Sequence, residues 1–374
     1  MSHAAGETLR VAHLDTGRDW RGGQAQILML LEGLAARGVS SLLLAPPGPL
    51  LERARHHGFA THSWSPFADW DPAALARATF LLRAVRADVV HCHSARAHAV
   101  GVPAARIAHA RAVLVARRVA EPVARNPISA LKYRLPVDRY LCVSRAVMEI
   151  MRASGVPGES LALVPSGVRL TPVSRDASAP SLRSWLGVPE DTPLIGTLAA
   201  LTAEKRHEDL LAAARLVLAT EPHVHFVWLG DGPRRAELER LRDQLGLRSN
   251  VHLAGFRPEA RALMAQCTVV ALASELEGIA TALIEAQADS VPVVATAVGG
   301  VPEVVADGVT GRLVAPKDPA AMAAALIEVL EHPERARAWV EQARLGVTQF
   351  DIERTVERTL VEYQRALGAR TGAA

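Results

Sequence analysis

Two glutamates eight positions apart have the clearest chemical potential in this 374-residue chain. Glu277 and Glu285 lie in SELEGIATALIEAQA, directly after an apolar run that predicts a β-strand. A helix starting between them, near Ala280, would present free backbone N–H groups and a positive dipole end, which suit a phosphate. Gly278 permits close backbone approach, and the flanking carboxylates suit hydroxyls of a sugar and a ribose. A capping box from Ser274 to Glu277 is an equally weighted alternative.

Lysine is rare here, because 39 of the 42 basic residues are arginine. Lys205, in TAEKRH, follows the apolar run at 194–198 and precedes a helical pattern. A lysine at such a junction could neutralise a diphosphate as a point charge. The alternative is an ordinary solvated lysine in a loop.

Two segments of the first half also come at or after the end of a predicted strand and could contact a ligand. Gly22 and Gly23 lie in the turn before the first predicted helix, where adjacent glycines would allow a ligand to approach the backbone. In His91-Cys92-His93, His93 comes at the end of its strand and could hydrogen-bond a ligand. A tight turn and a core histidine are the respective alternatives. A metal on the two histidines is disfavoured, because no third ligand has suitable spacing.

Several familiar signatures are missing from the sequence. There is no G-x-G-x-x-G, P-loop, G-x-S-x-G, H-E-x-x-H or C-x-x-C pattern, which argues against nicotinamide, common hydrolase and thiol redox chemistry. Aromatic residues make up only 4% of the chain and its arginines are scattered, so nucleic-acid binding is not expected.

Apolar runs alternate with helical patterns from one end of the chain to the other. This alternation predicts two doubly wound α/β domains, with ligands at the carboxyl ends of their strands and in a central cleft that the domains face. A Ser- and Pro-rich stretch at 170–184 is the best linker candidate. We therefore predict domains at 1–172 and 173–351, followed by a long amphipathic helix within 352–374.

The net charge of +3 conceals a basic half and an acidic half. Residues 1–170 hold 21 Lys and Arg against 12 Asp and Glu, and residues 171–374 hold 21 against 27, which gives +9 and −6. The N-terminus does not have the pattern of a secretory signal, and no apolar run is long enough to span a bilayer. These features predict a cytoplasmic protein with reduced cysteines.

Taken in order, the motifs resemble the retaining glycosyltransferases of the GT-B fold, most closely glycosyltransferase family 4. The motifs that carry the resemblance are Gly22-Gly23, DVVHCHS, CVSRAV at 142–147, VPSGV at 164–168, LGDGP at 229–233, ELEGIATALIEAQA and PVVATAVGGVPEVV. The resemblance implies two Rossmann-like domains, the first holding the acceptor and the second a nucleotide-sugar. It also implies that the last helix, within 352–374, packs back on the first domain.

The resemblance further implies roles for individual residues. Glu277 would contact the donor sugar, Lys205 would stabilise the leaving diphosphate, and His93 would face the donor sugar. The implied donor-binding residues are Gly22, Gly23, Gly278, Ile279, Ala280, Thr281 and Glu285. One departure is Ala200, where the family usually has a phosphate-binding arginine; Arg206 or an arginine of the first domain would have to replace it.

The implied activity is retaining transfer of a sugar from a nucleotide-diphosphate sugar to a hydroxyl of a glycan or lipid-linked acceptor. Neither a metal nor another cofactor is expected. A role in cell-envelope polysaccharide or lipopolysaccharide synthesis would place the enzyme at the inner face of the cytoplasmic membrane, with the basic stretch at 126–139 as a candidate contact to anionic lipid. The alternatives are a non-catalytic nucleotide-sugar-binding protein and a sugar-nucleotide epimerase of the same fold.

Overall fold

The computed structural model describes residues 8–123, 132–171, 173 and 181–371. The chain forms two compact units: unit 1 contains Met1–Gly167 and Ile352–Ala374, and unit 2 contains Val168–Asp351. The linker predicted at 170–184 lies largely outside the described residues.

Unit 1 is a seven-stranded parallel sheet with helices packed against it, in the order β3-β2-β1-β4-β5-β6-β7. Its strands are β1 Arg10–Leu14, β2 Ser40–Ala45, β3 Ala60–Ser63, β4 Val89–Cys92, β5 Ala112–Arg117, β6 Arg139–Cys142 and β7 Leu161–Leu163. Its described helices are α1 Gly22–Ala35, α2 Pro49–His56, α3 Pro72–Ala84, α4 Ala95–Ile107, α5 Arg145–Ala153 and, at the end of the chain, α13 Ile352–Thr371.

The central strands of this sheet are buried on both faces, as parallel sheets require. Every residue of β4, VVHC, is buried, and β1 is buried except at Arg10. The strand order reverses beside β1, because β2 and β4 both pair with it. In a doubly wound sheet, loops at this reversal form the ligand-binding edge.

The last helix, α13, belongs to the core of unit 1. Val356 and Tyr363 are fully buried and pack with Val89 and Leu114 of the sheet. Helix α1 approaches α13 so closely that a Cβ added to Gly33 would lie 2.4 Å from a methyl of Val356. The amphipathic pattern near the end of the chain therefore reflects a helix whose apolar face completes the core of unit 1.

Unit 2 repeats the architecture with a six-stranded parallel sheet in the order β10-β9-β8-β11-β12-β13. Its strands are β8 Leu194–Leu198, β9 His225–Leu229, β10 Val251–Gly255, β11 Val269–Leu272, β12 Val293–Thr296 and β13 Arg312–Val314. Its described helices are α6 Leu182–Leu186, α7 His207–Thr220, α8 Arg235–Gln244, α9 Ala260–Met264, α10 Thr281–Ala288, α11 Pro319–Glu331 and α12 Pro333–Gly346.

The two doubly wound α/β sheets predicted from the sequence are confirmed, with some elements missed. The edge strand β3, ATHS, alternates in exposure and has no apolar run to reveal it. The edge strand β13 has only three residues, and α12 buries only Ala336, Trp339 and Ala343. Among the described helices, none is both long and apolar enough to cross a membrane.

Candidate active site

Two residues of unit 2 for which the sequence predicts a functional role, Lys205 and Glu277, lie in loops that follow two adjacent strands. Strands β8 and β11 pair in the sheet, so the loops that follow them share one edge. Lys205 ends a 3-10 turn after β8, and its Nζ lies 2.6 Å from Oε1 of Glu277 in the loop after β11. The backbone N–H of Glu275 also donates to the carbonyl of Glu204 at 2.8 Å, which fixes the two loops to each other.

The Glu277 carboxylate is held at one oxygen and open at the other. The buried hydroxyl of Ser274 donates to Oε1 at 2.7 Å, and the Thr296 hydroxyl donates to the Ser274 carbonyl at 2.5 Å. Oε2 has no hydrogen bond from any residue in the described part of the chain. Glu277 is only 8% exposed, so this oxygen is a positioned acceptor for hydroxyl groups.

Helix α10 begins at Thr281, four residues after Glu277. No side chain caps its start and its first turn has no acidic residue. The N–H groups of Gly278, Ile279 and Ala280 have no acceptor among the residues described, whereas that of Thr281 donates to the Ile279 carbonyl at 3.0 Å. An uncapped helix start with free N–H groups attracts phosphate oxygens.

Glu285 lies in the second turn of α10, where the protein offers its carboxylate no hydrogen bond within the described residues. Burial raises its pKa to about 7; Arg261 opposes this shift and Asp289 adds to it. Arg261 is itself paired with Asp289 at 2.7 Å. Glu285 thus has a raised pKa and a carboxyl group whose hydrogen-bonding capacity the described residues leave unused.

The loop after β9 supports the loop that contains Ala200. A Cβ added to Gly230, whose φ is +147°, would lie 2.0 Å from the Ala199 carbonyl, and one added to Gly232 would lie 2.5 Å from that of Leu201. The LGDGP motif therefore needs its two glycines, because the backbones of the two loops are in contact there and leave no room for a side chain. Arg206 does not replace the missing arginine, since its guanidinium is bound to Asp209 at 2.9 Å and to Glu208 at 3.0 Å.

The other predicted site residues, Gly22, Gly23 and His93, lie in unit 1. Helix α1 begins at Gly22 without a side-chain cap, and a Cβ added to Gly23 would meet no atom within 4 Å. The carbonyl of Gly23 accepts a hydrogen bond from Nη1 of Arg118 at 3.3 Å.

His93 is buried, and the protein occupies both of its ring nitrogens. Nε2 lies 3.0 Å from Nδ1 of His13, and Nδ1 lies 3.2 Å from Nη2 of Arg118. In the described chain both ring nitrogens of His93 therefore bond to protein groups, whereas the role inferred from the resemblance is a contact with the donor sugar.

Comparison with known proteins identifies the family. Residues 20–171 match the family described as Glycosyltransferase Family 4, and residues 179–346 match Glycosyl transferases group 1. The chain is 32% identical over 313 residues to a D-inositol 3-phosphate glycosyltransferase of Mycolicibacterium smegmatis, an alignment that covers 75% of this chain and 68% of the relative. The chain belongs to glycosyltransferase family 4.

Two other matches show how far the likeness extends. A putative colanic acid biosynthesis glycosyltransferase, WcaL of Salmonella typhimurium, is 31% identical over 56% of this chain and 52% of its own length. The crystal structure of Anabaena Alr3699/HepE in complex with UDP and glucose superimposes with a TM-score of 0.83, covering 96% of this chain and 100% of HepE at 20% identity. Two further D-inositol 3-phosphate glycosyltransferases are matched over 45% and 49% of their lengths. The chain thus spans about half to two thirds of the curated relatives described here.

In this family 4 chain the capping-box alternative is wrong, although Ser274 and Glu277 do interact. Ser274 bonds the side chain of Glu277, but both precede the start of α10 at Thr281, so neither caps that helix. Ser274 instead positions the glutamate. Its role was missed because only the structure shows its hydroxyl directed at Glu277.

The expectation that His91 and His93 have no third partner is also wrong. Strand pairing places His13 of β1 opposite His91 of β4, and ring nitrogens of all three histidines lie within 4.8 Å of one another. This donor set fits a divalent cation poorly, because both nitrogens of His93 are already hydrogen-bonded and the positive charge of Arg118 is beside them. Neither His13 nor Arg118 was singled out from the sequence, since each lies far along the chain from His93.

Proposed function

We propose that the chain is a retaining, metal-independent glycosyltransferase that uses a nucleotide-diphosphate sugar. The observation that carries the proposal is the Lys205–Glu277 ion pair beside the uncapped start of α10. It combines a cation, free backbone N–H groups and a fixed carboxylate oxygen within two loops of unit 2. These are the groups needed to bind a diphosphate and the hydroxyls of the sugar attached to it.

In the proposed reaction the bond between the anomeric carbon and the diphosphate oxygen breaks, and its electron pair leaves with the nucleoside diphosphate. Lys205 and the N–H groups of residues 278–280 stabilise this growing negative charge. Glu277 Oε2 accepts a hydrogen bond from a sugar hydroxyl and holds the oxocarbenium-like ring in place. The acceptor hydroxyl attacks from the face that the diphosphate leaves, its proton passes to a diphosphate oxygen, and the anomeric configuration is retained.

For the donor, we propose a uridine diphosphate sugar whose ribose hydroxyls bind Glu285. The support is the free carboxyl group of Glu285 and the likeness to HepE, which was crystallised with UDP and glucose. For the acceptor, we propose a hydroxyl of a glycan or lipid-linked glycan held by unit 1, in envelope polysaccharide or lipopolysaccharide synthesis. The relative named for colanic acid biosynthesis supports this choice.

We propose a cytoplasmic location with peripheral binding to the inner face of the membrane through α3. Its sequence, PAALARATFLLRA, contains no acidic residue, and its exposed face includes Arg77, Phe80 and Arg83. Phe80 is 70% exposed, and Phe67 just before the helix is 76% exposed. The stretch expected at 126–139 supports this less well: residues 126–131 lie outside the described chain, and Lys132 is buried and lies 3.7 Å from Asp69.

The test is to determine the stereochemistry of sugar transfer from UDP-glucose by NMR of the anomeric proton of the product. Retention is expected, with turnover by Glu277→Gln reduced at least tenfold and no sugar attached to Glu277. An inverted product, a trapped adduct on Glu277 or near-full turnover by Glu277→Gln would contradict the mechanism. Binding of UDP-glucose without turnover would favour a non-catalytic binding protein, and interconversion of donor sugars without an acceptor would favour an epimerase.

A further inference from the structure

Three buried histidines of unit 1 pack together, and two of them, His13 and His93, form a hydrogen-bonded chain that ends at an arginine. His13 and His91 are paired across β1 and β4, and His93 follows β4. His13 Nδ1 lies 3.0 Å from His93 Nε2, and the other nitrogen of His93 lies 3.2 Å from Nη2 of Arg118. The exposed fractions of the histidines are 0%, 1% and 6% in chain order.

These contacts determine where the protons lie. A guanidinium can only donate, so Nδ1 of His93 must be the acceptor of the bond from Arg118. Burial and the charges around it hold the pKa of His93 well below its usual range, so the ring is neutral and carries its single proton on Nε2. That proton is donated to His13. His93 is therefore committed to orienting Arg118.

The charge of Arg118 has no anionic partner within ion-pair distance in the described chain. Its two hydrogen bonds go to neutral groups, His93 and the Gly23 carbonyl. Asp15, whose charge acts on it from further away, binds the Gly17 N–H and Gln24 through Oδ2. Many other partly buried arginines of this chain pair with a carboxylate, as Arg139 does with Glu362 at 2.6 Å, whereas Arg117, like Arg118, bonds only to neutral groups among the described residues. A partly buried cation without a counter-ion is costly unless a ligand supplies the negative charge.

The position of Arg118 indicates what the ligand is. It directly follows β5, which pairs with β4 at the carboxyl edge of the sheet, and it contacts Gly23 in the first turn of α1. Among the described residues beyond its own helix backbone and chain neighbours, none has an atom within 4 Å of a Cβ added to Gly23, which leaves room for a ligand beside this backbone. A planar guanidinium beside an exposed helix backbone suits the oxygens of a phosphate.

We propose that Arg118 binds a phosphate group of one of the substrates, and that His93 is a positioning residue that holds its guanidinium. The inference rests on the proposed function, which supplies two sources of phosphate: the donor diphosphate and a phosphorylated acceptor. It assigns to Arg118 the ligand contact in unit 1 that the sequence had assigned to His93.

The first experiment measures binding of UDP and of D-inositol 3-phosphate to the full chain by calorimetry. We expect Arg118→Ala to weaken one of the two ligands by about 10- to 100-fold, the usual value of a charge-assisted hydrogen bond. Loss confined to UDP assigns the donor phosphate, and loss confined to inositol phosphate assigns the acceptor. Arg117→Ala is the matched control, because that neighbouring guanidinium binds the Tyr133 hydroxyl and the Glu121 carbonyl. Equal binding by Arg118→Ala and wild type, or no binding of either ligand to wild type, overturns the proposal.

A second experiment separates positioning from a structural effect. Asn places an acceptor oxygen near the site of the imidazole Nδ1, so His93→Asn should keep binding within about threefold of wild type. His93→Leu, which has no acceptor, should weaken the same ligand as Arg118→Ala does. Added guanidinium ion at millimolar concentration should restore part of the binding lost by Arg118→Ala. Failure of this rescue, together with equal losses in His93→Asn and His93→Leu, contradicts the assignment.

The two proposals can fail separately. If Arg118 controls ligand binding but the enzyme transfers no sugar, the proposed function fails and the phosphate site stands. If the enzyme transfers sugar and Arg118→Ala matches wild type in every assay, only the phosphate site is wrong.

Discussion

Lys205 Nζ and Glu277 Oε1 form a 2.6 Å ion pair between residues 72 positions apart in the chain. The pair is possible because β8 and β11 are neighbours in the sheet, although β9 and β10 lie between them in sequence. Side-chain exposures of 21% for Lys205 and 8% for Glu277 leave the lysine accessible and the glutamate mostly buried. The pair therefore orders both loops while keeping a cation available for a diphosphate.

Ser274 should contribute to turnover through its bond to Glu277. Its hydroxyl donates to Oε1 at 2.7 Å, and removing it leaves the carboxylate free to turn about Lys205. We expect Ser274→Ala to lower kcat about five- to tenfold, equivalent to about 1 kcal/mol, with little change in KM for the donor. Steady-state kinetics with UDP-glucose check this. An unchanged kcat would show that the hydroxyl has no positioning role.

Gly23→Ala should leave the protein at least as stable as wild type but lower its activity. Gly23 is the second residue of α1, and a Cβ there meets no atom within 4 Å. Alanine favours a helix over glycine by up to about 1 kcal/mol, so Tm should stay equal or rise. If a substrate approaches this backbone, the added methyl should lower kcat/KM at least tenfold. Gly346→Ala, also at an open helical position, is the control and should leave kcat/KM unchanged. Full activity of Gly23→Ala would contradict close approach at this turn.

Stability should fall with rising pH because of Glu285. Burial raises its pKa from the usual 4.5 of a glutamate to about 7, so between these values the folded state binds a proton that the unfolded state has lost. The free energy of unfolding therefore decreases as pH rises from about 4.5 to 7, by at most about 3 kcal/mol. Glu285→Gln should remove this contribution, so that its Tm relative to wild type rises between pH 5 and pH 8. A constant Tm difference over that range would show that the carboxyl group titrates normally.

Binding to anionic membranes should depend on the exposed face of α3. Wild type should sediment with phosphatidylglycerol vesicles and not with phosphatidylcholine vesicles, and less at high salt. Phe80→Ser and the double variant Arg77→Ser with Arg83→Ser should each reduce the bound fraction severalfold. Phe256→Ser is the control, since Phe256 is 51% exposed on unit 2. Equal binding to both vesicle types, or self-association of the chain through Phe80 without vesicle binding, would contradict a membrane contact.

The sequence predicted those parts of the fold and site that depend on local pattern. Buried strands such as β4 appear as apolar runs, and the start of α10 was expected within one residue of Thr281. Contacts between distant segments could not be predicted in this way. The Ser274–Glu277 bond depends on side-chain direction, and the His13–His93–Arg118 group depends on the pairing of β1, β4 and β5. The sequence assigned His93 a ligand contact, but its hydrogen bonds to His13 and Arg118 depend on residues that the sequence analysis did not single out.

The most direct test of the account is the rate at which Lys205→Ala releases UDP from UDP-glucose in the presence of acceptor. We expect kcat to fall at least 100-fold, about 2.7 kcal/mol or more, because the leaving diphosphate loses its cation. Lys317→Ala is the matched control: that lysine forms a 2.5 Å pair with Glu275, only two residues from Glu277, but is 55% exposed. The account predicts a large loss for Lys205→Ala and near-wild-type release for Lys317→Ala. Release by Lys205→Ala at the wild-type rate would contradict it.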